Sequence, residues 1–414
     1  MTLIKTSILT AISTIIRVVT RFIINKLISV YIGPSGLAII GQLINFNSVV
    51  MPFASGAINQ GVVKYTAEYK EDFEKKSKLF STAIIITLTS SVITGIIISV
   101  FSSYFSEVIL KSSDYSSVFI VFGFTIIFFA LNTLLMAILN GQKEIKKFIL
   151  VNIISSFFSL IFTSGLIVLL GLVGALYALV VNQSVIFFIT LTFVVKSSWF
   201  KLGYFKQGMD KKCLKLLLKY SAMAIVSALT TPIALIVIRN YIGESLSWDA
   251  AGYWEGIWQI SAMYLMVVTT SLSVYYLPRL SEIHDKNELK REIISGYKII
   301  LPIVSIMALT IYSLKEYIIL IAFTESFTPM LELFKWQLIG DIFKIAAWLL
   351  AYLMLAKAMT RLFIYTEIIF TTSFVVLSIV FVKNFGLVGV TYGFCLNYVL
   401  YLITMIIVFR KRFA

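Results

Sequence analysis

Histidine and cysteine are almost missing from this 414-residue chain: His284 is the only histidine, and Cys213 and Cys395 are the only cysteines. One histidine in a charged loop reads as solvated surface, and two distant cysteines supply no disulfide framework. Charge is scarce as well, at 13% of residues, and acid is the scarcer sign, with 20 acidic against 35 basic side chains. No soluble basic domain is left to carry the net charge of +15, which argues against a nucleic-acid binder. Metal-ligand spacing, a Gly-rich phosphate loop and a nucleophile motif are all absent, so the chain is expected not to be an enzyme and to need no cofactor.

Apolar length is what the sequence has in excess. Hydrophobic residues make up 59% and aromatic ones 14%, with a mean hydropathy of +0.95, far outside the composition of a soluble domain. Runs of some 20 residues, long enough to cross a hydrocarbon core of about 30 Å, fall at about 7–31, 37–63, 79–105, 117–140, 148–170, 174–195, 217–240, 252–277, 297–314, 333–356, 362–382 and 386–409. These predict an all-α, multi-pass integral membrane protein of about 12 transmembrane helices. The segment 317–323 is too short to cross and is expected at an interface. The first run lacks a small-residue cleavage pattern and is expected to be a retained helix.

Basic residues outside these runs are lopsided. Connections on one side hold Lys70, Lys75, Lys76 and Lys78, then Lys143, Lys146 and Lys147, the basic stretch 196–219, the stretch 279–298, Lys357 and Arg361, and Arg410 to Arg412. The other side holds only Lys111, Lys315 and Lys383. Basic residues in short loops stay in the cytoplasm, which places both termini there and fits a bacterial inner membrane.

The chain also repeats itself. Gly171-Leu172-Val173-Gly174 with Tyr177 and Asn182 recurs 215 residues later as Gly386-Leu387-Val388-Gly389 with Tyr392 and Asn397, and Tyr31-Ile32-Gly33 recurs as Tyr241-Ile242-Gly243. Two six-span halves follow: an N-lobe at 1–200, a basic cytoplasmic linker at 201–216 and a C-lobe at 217–414. Transporters of this build hold the substrate between the halves and rock one against the other.

Seven basic residues, Arg17, Arg21, Lys26, Lys64, Arg239, Lys335 and Lys344, lie within or at the edges of the apolar runs. Each would cost roughly 2.5–3.5 kcal/mol near the bilayer centre, together more than the roughly 5–15 kcal/mol by which a protein is stable. They must line a hydrated interior, pair, or snorkel, and a cationic cavity suggests an anionic passenger. Thr10, Thr14, Arg17, Arg21 and Asn25 share one helical face, whereas Lys26 points away and is expected to snorkel. Asn45, Ser48, Pro52, Gly56 and Asn59 line the second span, which Pro52 should kink. Lys64 lies just past it. Gln337, Asp341, Lys344, Trp348 and Tyr352 line the tenth span, with Asp341 and Lys344 close enough to pair. Arg239 is in reach of Glu255, as a structural lock or a substrate contact. Glu367 lies near the cytoplasmic end of its span. Phosphate takes Arg forks and Lys charges, while sugar rings pack on aromatic faces, for which Trp258, Trp348 and Tyr352 are the candidates.

The blocks Gly33 to Leu37, Asn59 to Tyr65, Ser271 to Pro278, and Phe334 to Lys344 with Ala356-Lys357-Ala358 resemble the Wzx flippases of O-antigen and enterobacterial common antigen assembly. Those belong to the multidrug/oligosaccharidyl-lipid/polysaccharide (MOP) exporter superfamily, with the MATE exporters. The resemblance implies a V-shaped, two-lobed transporter that carries an undecaprenyl-pyrophosphate-linked oligosaccharide of lipopolysaccharide biosynthesis across the bilayer, alongside other polysaccharide assembly proteins. It also implies ion-coupled antiport on a proton or Na+ gradient, for which Asp341, Glu255 and Glu367 are candidates. A MATE-like drug antiporter is the alternative within the fold, and a polytopic polymerase or ligase the alternative outside it.

Overall fold

A computed structural model describes residues 3–413 except Glu71, His284 and Ala358. The side chains of residues 3–11, 219–224, 227, 274 and 411–413 also lie outside the described set, and with them Thr10 of the first polar face. The described secondary structure is helical. In chain order the helices are α1 (Leu3–Tyr31), α2 (Gly33–Ala54), α3 (Asn59–Glu68), α4 (Phe73–Val100), α5 (Ser102–Leu110), α6 (Ser116–Gly141), α7 (Ile145–Val195), α8 (Lys211–Ser245), α9 (Trp248–Ser271), α10 (Leu277–Glu282), α11 (Lys286–Ser313), α12 (Lys315–Ala322), α13 (Phe334–Ala356), α14 (Thr360–Phe385) and α15 (Val388–Phe413). With α7 counted twice at its internal break and the short α3, α5, α10 and α12 set aside, twelve long helices remain among the described residues. The protein is therefore a multi-pass membrane protein. Eight described helices, α7 taken once, are long and apolar enough to cross on length and composition alone. Of the rest, α1, α8 and α9 carry Arg17, Arg21, Arg239 and Glu255.

Helix breaks fall where glycine supplies a conformation that other residues avoid. α7 is interrupted at Gly171 (φ 56°, ψ −132°), and the α14–α15 turn has Gly386 at φ 64°, ψ −150°. Three residues on, a Cβ on Gly174 would come 1.9 Å from Leu166 O, and one on Gly389 2.1 Å from Phe381 O. Leu166 and Phe381 are themselves 215 residues apart, so the sequence repeat is a repeat of geometry. The match fails at the other pair: Gly33 takes φ 83°, whereas Gly243 continues a helix.

The second span differs from expectation. It breaks rather than kinks, and the break comes after Pro52. α2 ends at Ala54, Ser55 N bonds Met51 O, and Gly56 (φ 67°) and Ala57 (φ 52°) turn the chain before α3 begins. Pro52 sits inside α2; the positive φ of Gly56 is what ends the helix. Past α9 the chain runs through a π-helical turn at Leu272–Tyr276 before α10.

The chain divides into two compact units, Met1–Ile32 with Ile39–Pro232, and Gly33–Ala38 with Ile233–Ala414. The division between these units falls at Pro232 inside α8, and the basic stretch 201–216 lies in the first unit. That stretch is packed. Tyr204 and Leu217 are buried in one hydrophobic cluster with Leu79, Phe80, Ala83 and Ile138, and Trp199 and Phe205 lean on it. Ser77 Oγ donates to Gly203 O at 3.2 Å, and the Asp210 N–H donates to Thr82 Oγ1 at 2.9 Å. In the second unit, a Cβ on Gly252 would meet Pro34 O at 1.9 Å, and the Ser35 N–H donates to Asp249 Oδ1 at 3.0 Å, so the starts of α2 and α9 are pressed together.

Candidate functional site

In the first unit the chemistry-bearing helix is α1. The residues of its polar face differ in burial. Asn25 is buried, and its carbonyl accepts from Ser29 Oγ at 2.8 Å. Arg17 is half-buried and Arg21 exposed. They lie four residues apart, about 6 Å along a helix, and the charge acting on Arg21 is that of Arg17. Among the described residues neither arginine has a carboxylate partner. Two guanidinium groups on one helix face with no counter-anion are a strong attraction for a di-anionic group such as pyrophosphate.

The other expected residues of this unit separate. Asn45 is buried in α2. Asn59 opens α3, and its Oδ1 is buried without a hydrogen-bond partner beside a cavity of about 270 Å³ that the helix break creates with Ser48, Pro52, Ser55 and Thr133. Lys64 is exposed on α3, its ammonium 5.1 Å from the Tyr65 ring centroid.

In the second unit most candidates are spent on one another. Arg239 of α8 is 1% exposed and donates through Nη2 to Glu255 Oε2 of α9. Glu255 Oε1 accepts from Gln259 Nε2 at 2.8 Å, and the guanidinium lies 5.6 Å from the Trp254 ring centroid. The charge pair joins α8 to α9.

Asp341 and Lys344 do not form the contact pair that their spacing allows. Asp341, fully buried on α13, accepts through Oδ2 from Ser261 Oγ at 2.7 Å and from Tyr264 OH at 2.9 Å, both on α9. Lys344 Nζ instead sits in an aromatic cage, 5.2 Å from the ring centroid of Trp258, 5.0 Å from Trp348, 5.9 Å from Phe394 and 5.6 Å from Tyr398. Each such contact is worth about 0.5–2 kcal/mol. Four of them offset the roughly 2.5–3.5 kcal/mol cost of a membrane-embedded ammonium without a contact carboxylate. Trp258 also stacks on Phe374 at 6.2 Å. Trp258 and Trp348, the candidates for stacking a sugar, face the Lys344 ammonium, and the Tyr352 hydroxyl is engaged with Ser273 Oγ at 3.0 Å. Glu367 is half-buried on α14, within electrostatic reach of Lys344.

Four neighbours of these charges did not stand out in the sequence: Ser261 extends the Trp254–Trp258 face of α9 by three residues and Tyr264 by six, and Phe394 and Tyr398 lie four residues apart on α15. Both patterns were readable as helical periodicity; which residue each stripe served was not.

Comparison with known proteins follows this geometry. A family model described as polysaccharide biosynthesis protein matches residues 3–284. The lipid III flippase of Escherichia coli (strain K12) is 28% identical over 401 residues, covering 97% of this chain and 96% of that protein. The lipid III flippase of Shigella flexneri matches to the same extent. Among solved structures, a multidrug resistance MATE family transporter of the MOP superfamily in an inward-facing conformation gives a TM-score of 0.80 at 16% identity, covering 96% of this chain and 94% of that one. An outward-facing conformation gives 0.71 at 16% identity, covering 99% and 95%. The fold is thus that of MOP-superfamily transporters.

Proposed function

The chain belongs to the polysaccharide biosynthesis protein family, and from that premise we propose that it is a flippase for lipid-linked saccharides, a transporter and not an enzyme. Its passenger is an undecaprenyl-pyrophosphate-linked repeat unit of O-antigen or a related surface polysaccharide, carried from the cytoplasmic to the periplasmic leaflet of a bacterial inner membrane. The observation that carries this reading is the pair Arg17 and Arg21 on α1, cations without a carboxylate partner among the described residues. An organic cation would be repelled there, which sets the multidrug reading aside. Full-length relatives named lipid III flippases add support.

Coupling to a proton or Na+ gradient is assigned to Asp341. It is a carboxylate enclosed in the membrane, held by two hydroxyls rather than by a contact cation. Glu255 is bound to Arg239 and is set aside for this role. Alternating access is the transport mode we assign to the repeated architecture.

The test is complementation of a strain lacking its own flippase. Arg17→Ala and Arg21→Ala should each cut surface polysaccharide severely at near-normal protein abundance. Lysine at either position should restore part of it, keeping the charge but losing the bidentate fork. Lipid-linked oligosaccharide should accumulate on the cytoplasmic side. Full surface display by the double alanine variant would overturn the assignment.

A further inference from the structure

The second unit contains an apolar groove of about 640 Å³ bordered by α11, α13 and α15, remote in kind from the polar sites above. One end carries Lys290 and Arg410, both exposed and, among the described residues, without a carboxylate partner. The nearby acids of α11 are taken, since Arg279 holds Glu288 at 3.2 Å and Glu292 at 3.7 Å. From that end the groove follows α11 to Leu301, eleven residues or about 16 Å of helix. Half of a hydrocarbon core of about 30 Å is nearly the same length, so the groove is one leaflet deep. Its wall stays apolar because the Tyr297 hydroxyl is spent on Ala346 O at 2.6 Å.

An apolar channel of one leaflet's depth with paired cations at its basic end matches an anionic lipid whose chain lies in the channel and whose phosphate meets the cations. By the distribution of basic residues that end is cytoplasmic, and the cytoplasmic leaflet is where anionic lipids attract such clusters. We propose that this groove binds one anionic glycerophospholipid of the cytoplasmic leaflet, with its phosphate on Lys290 and Arg410. A polyprenyl chain is several times longer than the groove, so the resident lipid is the better fit. Because α13 forms one wall while holding Asp341 and Lys344, the lipid buttresses the helix that bears both charges.

The experiment is native mass spectrometry of the full-length protein in detergent, titrated with dioleoyl phosphatidylglycerol, dioleoyl phosphatidylcholine or undecaprenyl phosphate. Phosphatidylglycerol should be retained on the order of tenfold over phosphatidylcholine, and Lys290→Gln and Arg410→Gln should each reduce that preference about fivefold. Ile406→Trp, which fills the groove from a half-exposed position, should displace the lipid while leaving gel-filtration behaviour unchanged. Equal retention of the two phospholipids, or a preference that survives the double Gln variant, would refute the site. So would stronger retention of undecaprenyl phosphate that is lost on the same substitutions, since that occupant is the passenger's tail.

Discussion

Asp341 and Lys344 stand three residues apart on one helix, yet hydroxyl donors hold the first and ring faces hold the second. The difference matters for the exchange of their charges. A carboxylate at 344 would face the negative faces of four aromatic rings, and an ammonium at 341 would meet Ser261 and Tyr264, whose hydroxyl protons are directed at a carboxylate. Asp341→Lys combined with Lys344→Asp should therefore recover no transport, with a coupling energy below about 0.5 kcal/mol in a double-mutant cycle. Recovery of export by the swapped pair would show that the two side chains serve each other after all. The polar face carrying both charges was legible from spacing alone, as were the cations of α1. Trp348 is one turn from Lys344 on α13 and was legible as its neighbour, whereas spacing does not encode the neighbours across the helix interface, Trp258, Phe394 and Tyr398. Arg239 and Glu255 were placed within reach of each other because they lie near the same end of consecutive apolar runs.

Elements broke where glycine let them. The expectation of a kink at Pro52 rested on the lost amide proton, but helix interiors tolerate that loss when neighbouring groups compensate, whereas Gly56 at φ 67° closes a Cβ off at 2.6 Å from Ile86. The repeated glycines give a sharper case. Gly171→Ala and Gly386→Ala place a Cβ in a backbone region essentially confined to glycine, and each should cost about 1–3 kcal/mol. Gly165 offers the control, since it is helical and a Cβ there meets nothing within 4 Å. Thermal unfolding in detergent should show similar losses for the two repeat positions and none for Gly165→Ala. An unshifted Gly171→Ala transition would mean that the break in α7 is not fixed by that residue. The boundaries of most long helices were readable because hydropathy runs measure the bilayer; α3, α5 and α10 were not, being short pieces at the ends of longer runs.

At the scale of the whole molecule, the basic stretch read as a linker is part of the first unit's core, because charge counts report sidedness and say nothing of what lies between the charges. Trp199, Tyr204 and Phe205 were the overlooked signal. The stretch is pinned at its end by Asp210, whose Oδ1 accepts from the Cys213 N–H at 2.8 Å at the start of α8. That bond holds the Asp210 carboxyl below the usual carboxylate range. A lowered folded value means that the stabilisation is complete above the unfolded value near 3.9 and is lost as pH falls through the folded one. Hydrogen exchange across 196–217, corrected for intrinsic rates, should be slow at pH 7 and become faster as the Asp210 carboxyl is protonated, below the unfolded value near 3.9. Asp210→Ala should cost about 1 kcal/mol at pH 7, while Asp210→Asn should keep the cap and lose the acid sensitivity; equal acid sensitivity in the Asn variant would place its origin elsewhere. The paired geometry at Gly171 and Gly386 has a longer reach than stability. Matching dihedrals and matching carbonyl contacts are the trace of a duplicated ancestor, against which the two copies can be dated by what they no longer share. At the 215-residue offset that the glycine breaks keep, the counterparts of Arg17 and Arg21 are Pro232 and Ile236, so this pair of cations has no counterpart in the second copy.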